Sequence, residues 1–200
     1  MGLFFKISPK EMVEIRNKIF LDKGVDPLVF NGFEKAPFHS SWNGKNNHHG
    51  CDYEFCRLQK GYLELLHVYI IKGDQWIQIE LNVFELYPTI TALEELKEIN
   101  HIKYLLPPTN RTRMRLRADD YIWIPIITSF CLKKHKLGRY NSRRRLYLQI
   151  KKLEKLIAED MVHIDSFVGR WHELHTPLKW IGKEILLKRK HRSFIYHFSF

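Results

Sequence analysis

Arg111, Arg113, Arg115 and Arg117 take every second position of the segment NRTRMRLRA. On an extended strand such residues project from one face about 6.6–6.8 Å apart, because each residue rises about 3.3–3.4 Å. That is close to the phosphate spacing of an extended single strand, and guanidinium forks hold phosphate oxygens two at a time. A second basic cluster follows at Arg143, Arg144 and Arg145, continued by Lys151 and Lys152. Tyr140, Tyr147, Trp171, Trp180 and Tyr196 are interleaved with these charges, and aromatic rings stack on bases where they are exposed. The competing explanation is structural: an arginine-faced strand also forms where a sheet's outer face pairs with Glu64, Glu80 or Glu85.

Arg170 to His175 reads RWHELH. This Arg-x4-His spacing resembles the signature of HEPN-type ribonucleases, which implies RNA cleavage by Arg170 and His175 from one helical face. The match departs from the signature at Trp171, where a polar residue is usual. The same spacing recurs at Arg192 and His197, as a chain with 13 arginines and 11 histidines supplies by composition alone.

His48, His49, Cys51 and Cys56 cluster in sequence, and Cys131 and His135 are further potential zinc ligands. Cys-x4-Cys is a loose spacing, and no second close pair completes four ligands. His172 and His175 around Glu173 give His-x2-His, not the zincin arrangement. Asp119-Asp120 is an acidic pair among arginines that serves equally as a metal ligand or as a neutraliser of Arg115 and Arg117. Phosphate loops, dinucleotide fingerprints and nucleophile elbows are absent from the sequence. Neither a cofactor nor a metal is expected, and a non-enzymatic role is favoured.

Charge supports the basic reading. The chain of 200 residues carries a formal net charge of +11. Residues 1–100 hold 11 Lys/Arg against 14 Asp/Glu, and residues 101–200 hold 22 against 8, so the excess lies entirely in the second half. Concentrated like charge repels itself in a folded protein, and a polyanionic partner offsets that cost by releasing counterions. Hydrophobic residues make up 44%, enough for a core and too many for a disordered chain. The longest apolar stretch, residues 121–132, is far short of the roughly 20 residues a bilayer needs. Three cysteines and an opening segment without signal-peptide features point to the cytoplasm.

These groups must be positioned by an α+β fold. Ser8, Pro9 and Glu11 form a capping box and start a helix to about Lys23, closed by Gly24. Residues 25–56 read as a long loop. Tyr62–Ile71 and Trp76–Leu86 read as a hairpin in an antiparallel sheet with one buried face, since Ile77, Ile79, Leu81 and Val83 alternate with polar residues. A short helix is expected over 91–100, a strand over 110–118, and a long helix from Ser142 to His163 with Leu146, Ile150, Leu153, Ile157 and Met161 inward. Thr176 and Pro177 are expected to open a last helix running to about Lys190. Pro107-Pro108 marks a soft boundary between an α+β region, 1–106, and a basic region of strand and helices, 107–200, packed as one domain.

The function expected is non-enzymatic binding of nucleic acid, RNA or single-stranded DNA, through its backbone, alone or within a nucleoprotein complex. The alternative is an interaction or inhibitor protein of a mobile element that docks on the acidic surface of a nucleic-acid-handling enzyme. Arg111, Arg113, Arg115 and Arg117 carry the first reading. Reversing their charge is expected to abolish binding in a low-salt titration while leaving the melting temperature nearly unchanged.

Overall fold

A computed structural model describes residues 5–38, 43–46, 50–87, 89–96, 112–121, 133–138 and 140–181. The fold is α+β, with an antiparallel sheet, an N-terminal helix and helices in the second half. Three long strands form the centre of the sheet: β3 (Cys51–Gln59), β4 (Tyr62–Ile70) and β5 (Gln78–Tyr87). Gln59 pairs with Tyr62 across a two-residue turn in which Lys60 has φ 52° and Gly61 φ 83°. Two positive φ values match the right-handed twist of the flanking strands, and glycine adopts one without strain. The β4–β5 hairpin follows the sequence expectation to within two residues.

The edges are divided. On one side β1 (Glu34–Lys35) and β2 (Gly44–Lys45) share the outer edge of β3. On the other, β6 (Met114–Arg115) pairs antiparallel with Glu80 and Leu81, and β7 (Leu178–Ile181) runs parallel to Phe84–Tyr87. Thr176 and Pro177 therefore lead into a strand, not the start of the expected helix. β6 occupies only part of β5's edge, and pairing with β7 satisfies the backbone groups beyond it. Residues 182–190 of that expected helix lie outside the described residues.

Among the described residues four helices pack on one face of the sheet. Helix α1 (Pro9–Lys23) has the capping box the sequence predicts, with Ser8 Oγ accepting from Glu11 N at 3.2 Å and Glu11 Oε2 accepting from Ser8 N at 2.8 Å. Helix α2 (Val25–Phe30) follows. Helix α3 (Arg143–Val162) is capped by Ser142, and α4 (Ile164–Leu174) continues from it after a turn at His163. Phe20, Phe55, Leu66, Val68, Ile79, Leu81, Ile157 and Trp171 meet in the main core. The Trp171 indole N–H donates to Thr112 O at 2.6 Å, so the largest buried side chain is also satisfied.

Two expectations are corrected here. Residues 25–56 are not one long loop, since α2, β1, β2 and the first half of β3 lie within them. The sheet is not solvated on its second face either. Along β5, Glu80 and Asn82 are buried as well as Ile79, Leu81 and Val83, because a second cluster of Ala36, Cys56, Leu63, Phe84, Leu86, Ile90 and Leu96 covers part of that side. The helix expected over 91–100 is a short 3-10 turn at residues 93–96, and 97–100 lie outside the described residues. Of the strand expected over 110–118, the described part, 112–118, is paired as a strand at Met114 and Arg115, and 110–111 lie outside the described residues. No helix among the described residues is long and apolar enough to cross a membrane.

Beside the second cluster the same face carries Glu54, His67, Tyr69 and Glu80, with the His67 and Tyr69 rings in tilted contact at 3.7 Å between centroids. Burial pushes the His67 imidazole down to about 4, against the pull of Asp52 and with the help of Arg113. The unfolded chain binds this proton near pH 6.5 and the folded one does not, so stability falls as pH drops through that interval. Urea denaturation at pH 7.5 and pH 5.5 should show a lower midpoint at pH 5.5, and His67→Phe should lose part of that decrease. An unchanged difference in the variant would show that His67 does not carry it.

Candidate nucleic-acid interface

The basic residues divide into those held by carboxylates and those turned to solvent. Asp160, on α3, is the pivot of the first group. It is 2% exposed, accepts two hydrogen bonds from the Arg117 guanidinium, and lies 2.7 Å from His135 Nε2 through its Oδ2. Burial alone would raise this carboxyl, but the hydrogen bonds from Arg117 and His135 hold it below the usual carboxylate range. Arg117 reaches Asp160 from a left-handed backbone, φ 59°, a conformation that costs a non-glycine residue on the order of 1–3 kcal/mol. That turn breaks the extended arginine row at its last member.

The other described members of the row are also partnered. Arg113 Nη1 lies 3.1 Å from the buried Glu80, and Arg115 Nη2 is 3.4 Å from Asp119. Of the acidic partners considered for the row, Glu80 is used, Glu64 is taken by Arg57 at 2.5 Å, and Glu85 by Lys179 at 3.7 Å. The alternation itself is as expected, with Thr112, Met114 and Leu116 buried and Arg113 exposed. Arg111 lies outside the described residues.

Asp160 also positions the second group. His135 Nε2 binds Asp160 while its carbonyl accepts from Ile77 N at 2.9 Å, and Leu137 N donates to Gln75 O at 2.8 Å. The short segment 133–137 is thereby stitched between the start of β5 and the side of α3. His135 and Leu137 point inward and Lys133, Lys134 and Lys136 outward. Facing them across a groove of about 430 Å³ are Gln149, Lys152, Lys155 and Glu159 of α3, over a floor of Leu153 and Leu156. Five lysines face one glutamate there, and Glu159 is 3.6 Å from Lys155.

The first turn of α3 continues the charge. Arg143, Arg144 and Arg145 are all exposed, and no acidic residue is present in that turn. Arg143 lies 5.8 Å over the Phe5 ring, and no carboxylate pairs with the three among the described residues. Helix N-termini carry the positive end of the macrodipole and favour carboxylates, so three arginines there are placed against the helix's own field. The same backbone N–H groups and dipole attract phosphate. Lys151 pairs with Glu154 at 2.8 Å, and Tyr147, 58% exposed, lies beneath its ammonium group at 5.8 Å.

The remaining candidate residues are dispersed. Arg170 donates to Asp120 O at 3.3 Å and to Glu173 at 2.5 Å, while His175 caps α4 with extended backbone. The helix ends at Leu174, so Arg170 and His175 do not share a helical face as the ribonuclease resemblance implies. Cys51 and Cys56 lie five residues apart on β3 and point to opposite faces, one into each hydrophobic cluster. Burial pushes the Cys56 thiol up to about 12. His48, His49 and Cys131 lie outside the described residues, and no group of three or more His, Cys, Asp or Glu suited to a metal occurs among the described ones.

Sequence reasoning missed Lys133, Lys134 and Lys136 as members of one site with the basic residues of α3, Lys155 among them. The available signal was the short alternation Lys134-His135-Lys136-Leu137, in which a histidine takes an inward position between two lysines. No protein-family model, curated protein or solved structure matches the chain.

Arg117→Glu should destabilise the protein by roughly 3–5 kcal/mol in urea denaturation, because it leaves a buried carboxylate facing another. Arg144→Glu should move the midpoint by no more than about 0.5 kcal/mol. Reversal of the whole arginine row is therefore expected to lower the melting temperature, unlike the first expectation from sequence. Equal effects of the two substitutions would refute the division into held and solvent-facing arginines.

Proposed function

We propose that the protein binds nucleic acid through its phosphate backbone, along the lysine groove and the first turn of α3. The observation that carries this reading is the net positive charge of the groove beside α3, five lysines against one glutamate, continued by three arginines in the first turn of that helix. Lys133, Lys134, Lys136, Lys152 and Lys155 line the groove, and Arg143, Arg144 and Arg145 stand at a helix end whose dipole adds to their charge. Lysines and arginines so placed displace counterions from a polyanion, which gives affinity with little sequence preference. Tyr147, exposed among these charges, offers a surface on which a base stacks, in keeping with a single-stranded ligand.

Arg113, Arg115 and Arg117 take a supporting role in this reading, since each has a carboxylate partner. A reducing cytoplasmic setting fits the free, buried thiols of Cys51 and Cys56. The test is titration of fluorescent single-stranded RNA, single-stranded DNA and duplex DNA at two salt concentrations, with a Lys134→Glu, Lys136→Glu, Lys152→Glu variant beside the wild type. Wild-type binding should weaken steeply with salt. The variant should bind roughly tenfold or more weakly and lose about two from the slope of log affinity against log salt. Wild-type failure to bind at low salt, with an acidic protein partner retained through the same lysines, would replace this reading with the docking alternative.

A further inference from the structure

The groove beside α3 does not end at its lysines. Lys155 and Lys152 are followed toward the helix start by Leu148, Arg145 and Arg144, at intervals of three or four residues that an α-helix turns to one side. All five are exposed, Leu148 to 49%. Groove and helix start therefore form one strip, about 17 Å long from Arg144 to Lys155 at the rise of an α-helix. Glu159, the one carboxylate lining the groove, lies a turn beyond Lys155 and 3.6 Å from it, and Glu154 is turned to Lys151 at 2.8 Å. Arg143 is off the strip, over the Phe5 ring. Tyr147 follows Arg143 and Arg144 by four and three residues, so it flanks the strip at the helix start.

Charge is only half of what the strip offers. Leu148 is exposed among cations, Leu153 and Leu156 form an apolar floor, and Gln149 is the one neutral polar side chain lining the groove. A phosphate backbone makes little use of these groups. Its oxygens only accept, so they engage half of an amide that carries donor and acceptor side by side. An unpaired base uses both halves along its edge and lays its apolar face on leucine. A duplex keeps its bases stacked and paired between two backbones, and bringing one into a space of about 430 Å³ has to break that stack.

Resting on the backbone-binding reading of the same site, we infer that the strip is a track for single-stranded nucleic acid about four nucleotides long. Unpaired bases meet Leu148 and Gln149, and the phosphates meet the cations on either side. Phosphates of an extended strand are spaced close to twice the rise of a β-strand. About 17 Å, lengthened by the reach of Arg144 and Lys155 at its ends, spans three such intervals and so four phosphates. The base that leaves the track at the helix start comes beside Tyr147. A duplex can touch the same cations but brings no base to the leucines, so it binds through charge alone.

Fluorescence anisotropy of the full chain in low salt, with labelled oligoadenylates of two to ten nucleotides and with a ten-base-pair duplex, tests the track. Affinity should rise steeply to about four nucleotides and beyond that only with the number of registers available. The ten-nucleotide strand should bind roughly tenfold or more tightly than the duplex, although the duplex carries more phosphates. Leu148→Ala with Gln149→Ala removes base contacts and no charge, and alanine keeps the helix. This variant should bind single strands roughly tenfold more weakly, with duplex binding and the slope of log affinity against log salt unchanged. Arg144→Glu with Arg145→Glu should shorten the plateau to about two or three nucleotides. The track is overturned if the duplex binds as tightly as the strand, if binding ignores Leu148 and Gln149, or if the plateau ignores the two arginines. Salt-dependent binding in any of those cases leaves the backbone-binding reading standing, whereas absence of binding by every probe overturns both.

Discussion

Asp160 has to be neutralised, and much of the architecture around α3 follows from how that is done. An ionised carboxylate buried in a helix face loses several kcal/mol of hydration unless fixed donors replace the water. Arg117 supplies two hydrogen bonds from the turn after β6, and His135 is in contact from the segment beside β5. Neither partner is near Asp160 in sequence, so one charge fixes two distant parts of the chain against α3. The lysine groove is a by-product of that arrangement. His135 points inward to reach Asp160, and its neighbours Lys134 and Lys136 are thereby turned outward beside Lys152.

Two further buried arginines join helices to the sheet by different means. Arg16, fully buried in α1, donates to the carbonyls of Met12, Ile71 and Trp76 at 3.0–3.2 Å. Carbonyl oxygens serve as its direct partners because they present the fixed negative ends of dipoles, and the Asp74 carboxylate adds its charge from nearby. Arg57 on β3 instead binds Glu64 and Asp165, donates to Asn31 O at 2.8 Å, and lies over the Phe33 ring. Arg16 also bears on the lysine groove, because Trp76, whose carbonyl it binds, pairs with Lys136.

Helices and hairpin were legible in the sequence where local chemistry decides structure. Ser8 and Glu11 start α1, Ser142 starts α3, and the alternation from Ile77 to Val83 marks β5. β3 was hidden because Asp52, Glu54 and Arg57 interrupt its apolar pattern, and their placement depends on Asn46, the second sheet face and Asp165, which the pattern does not show. β7 was read as a helix because Pro177 suits both a helix's first turn and a strand's first residue, and the free length of β5's edge decided between them. The basic site was legible in charge but not in membership. Arginines at alternate positions look alike in sequence, whereas Asp119 and Asp160 capture Arg115 and Arg117 and leave Arg143 to Arg145 outside.

The division of both sheet edges bears on how another chain can approach. Among the described residues β1, β2 and β6 are two residues long and β7 is four, so the outermost strands described are fragments that pair with separate stretches of β3 and β5. A peptide adding itself as a further strand would form only a few ladder hydrogen bonds before meeting a break. Short edges of this kind protect a sheet from templated association with copies of itself. They also leave recognition to the helical layer, where side chains and not backbone groups set what is bound.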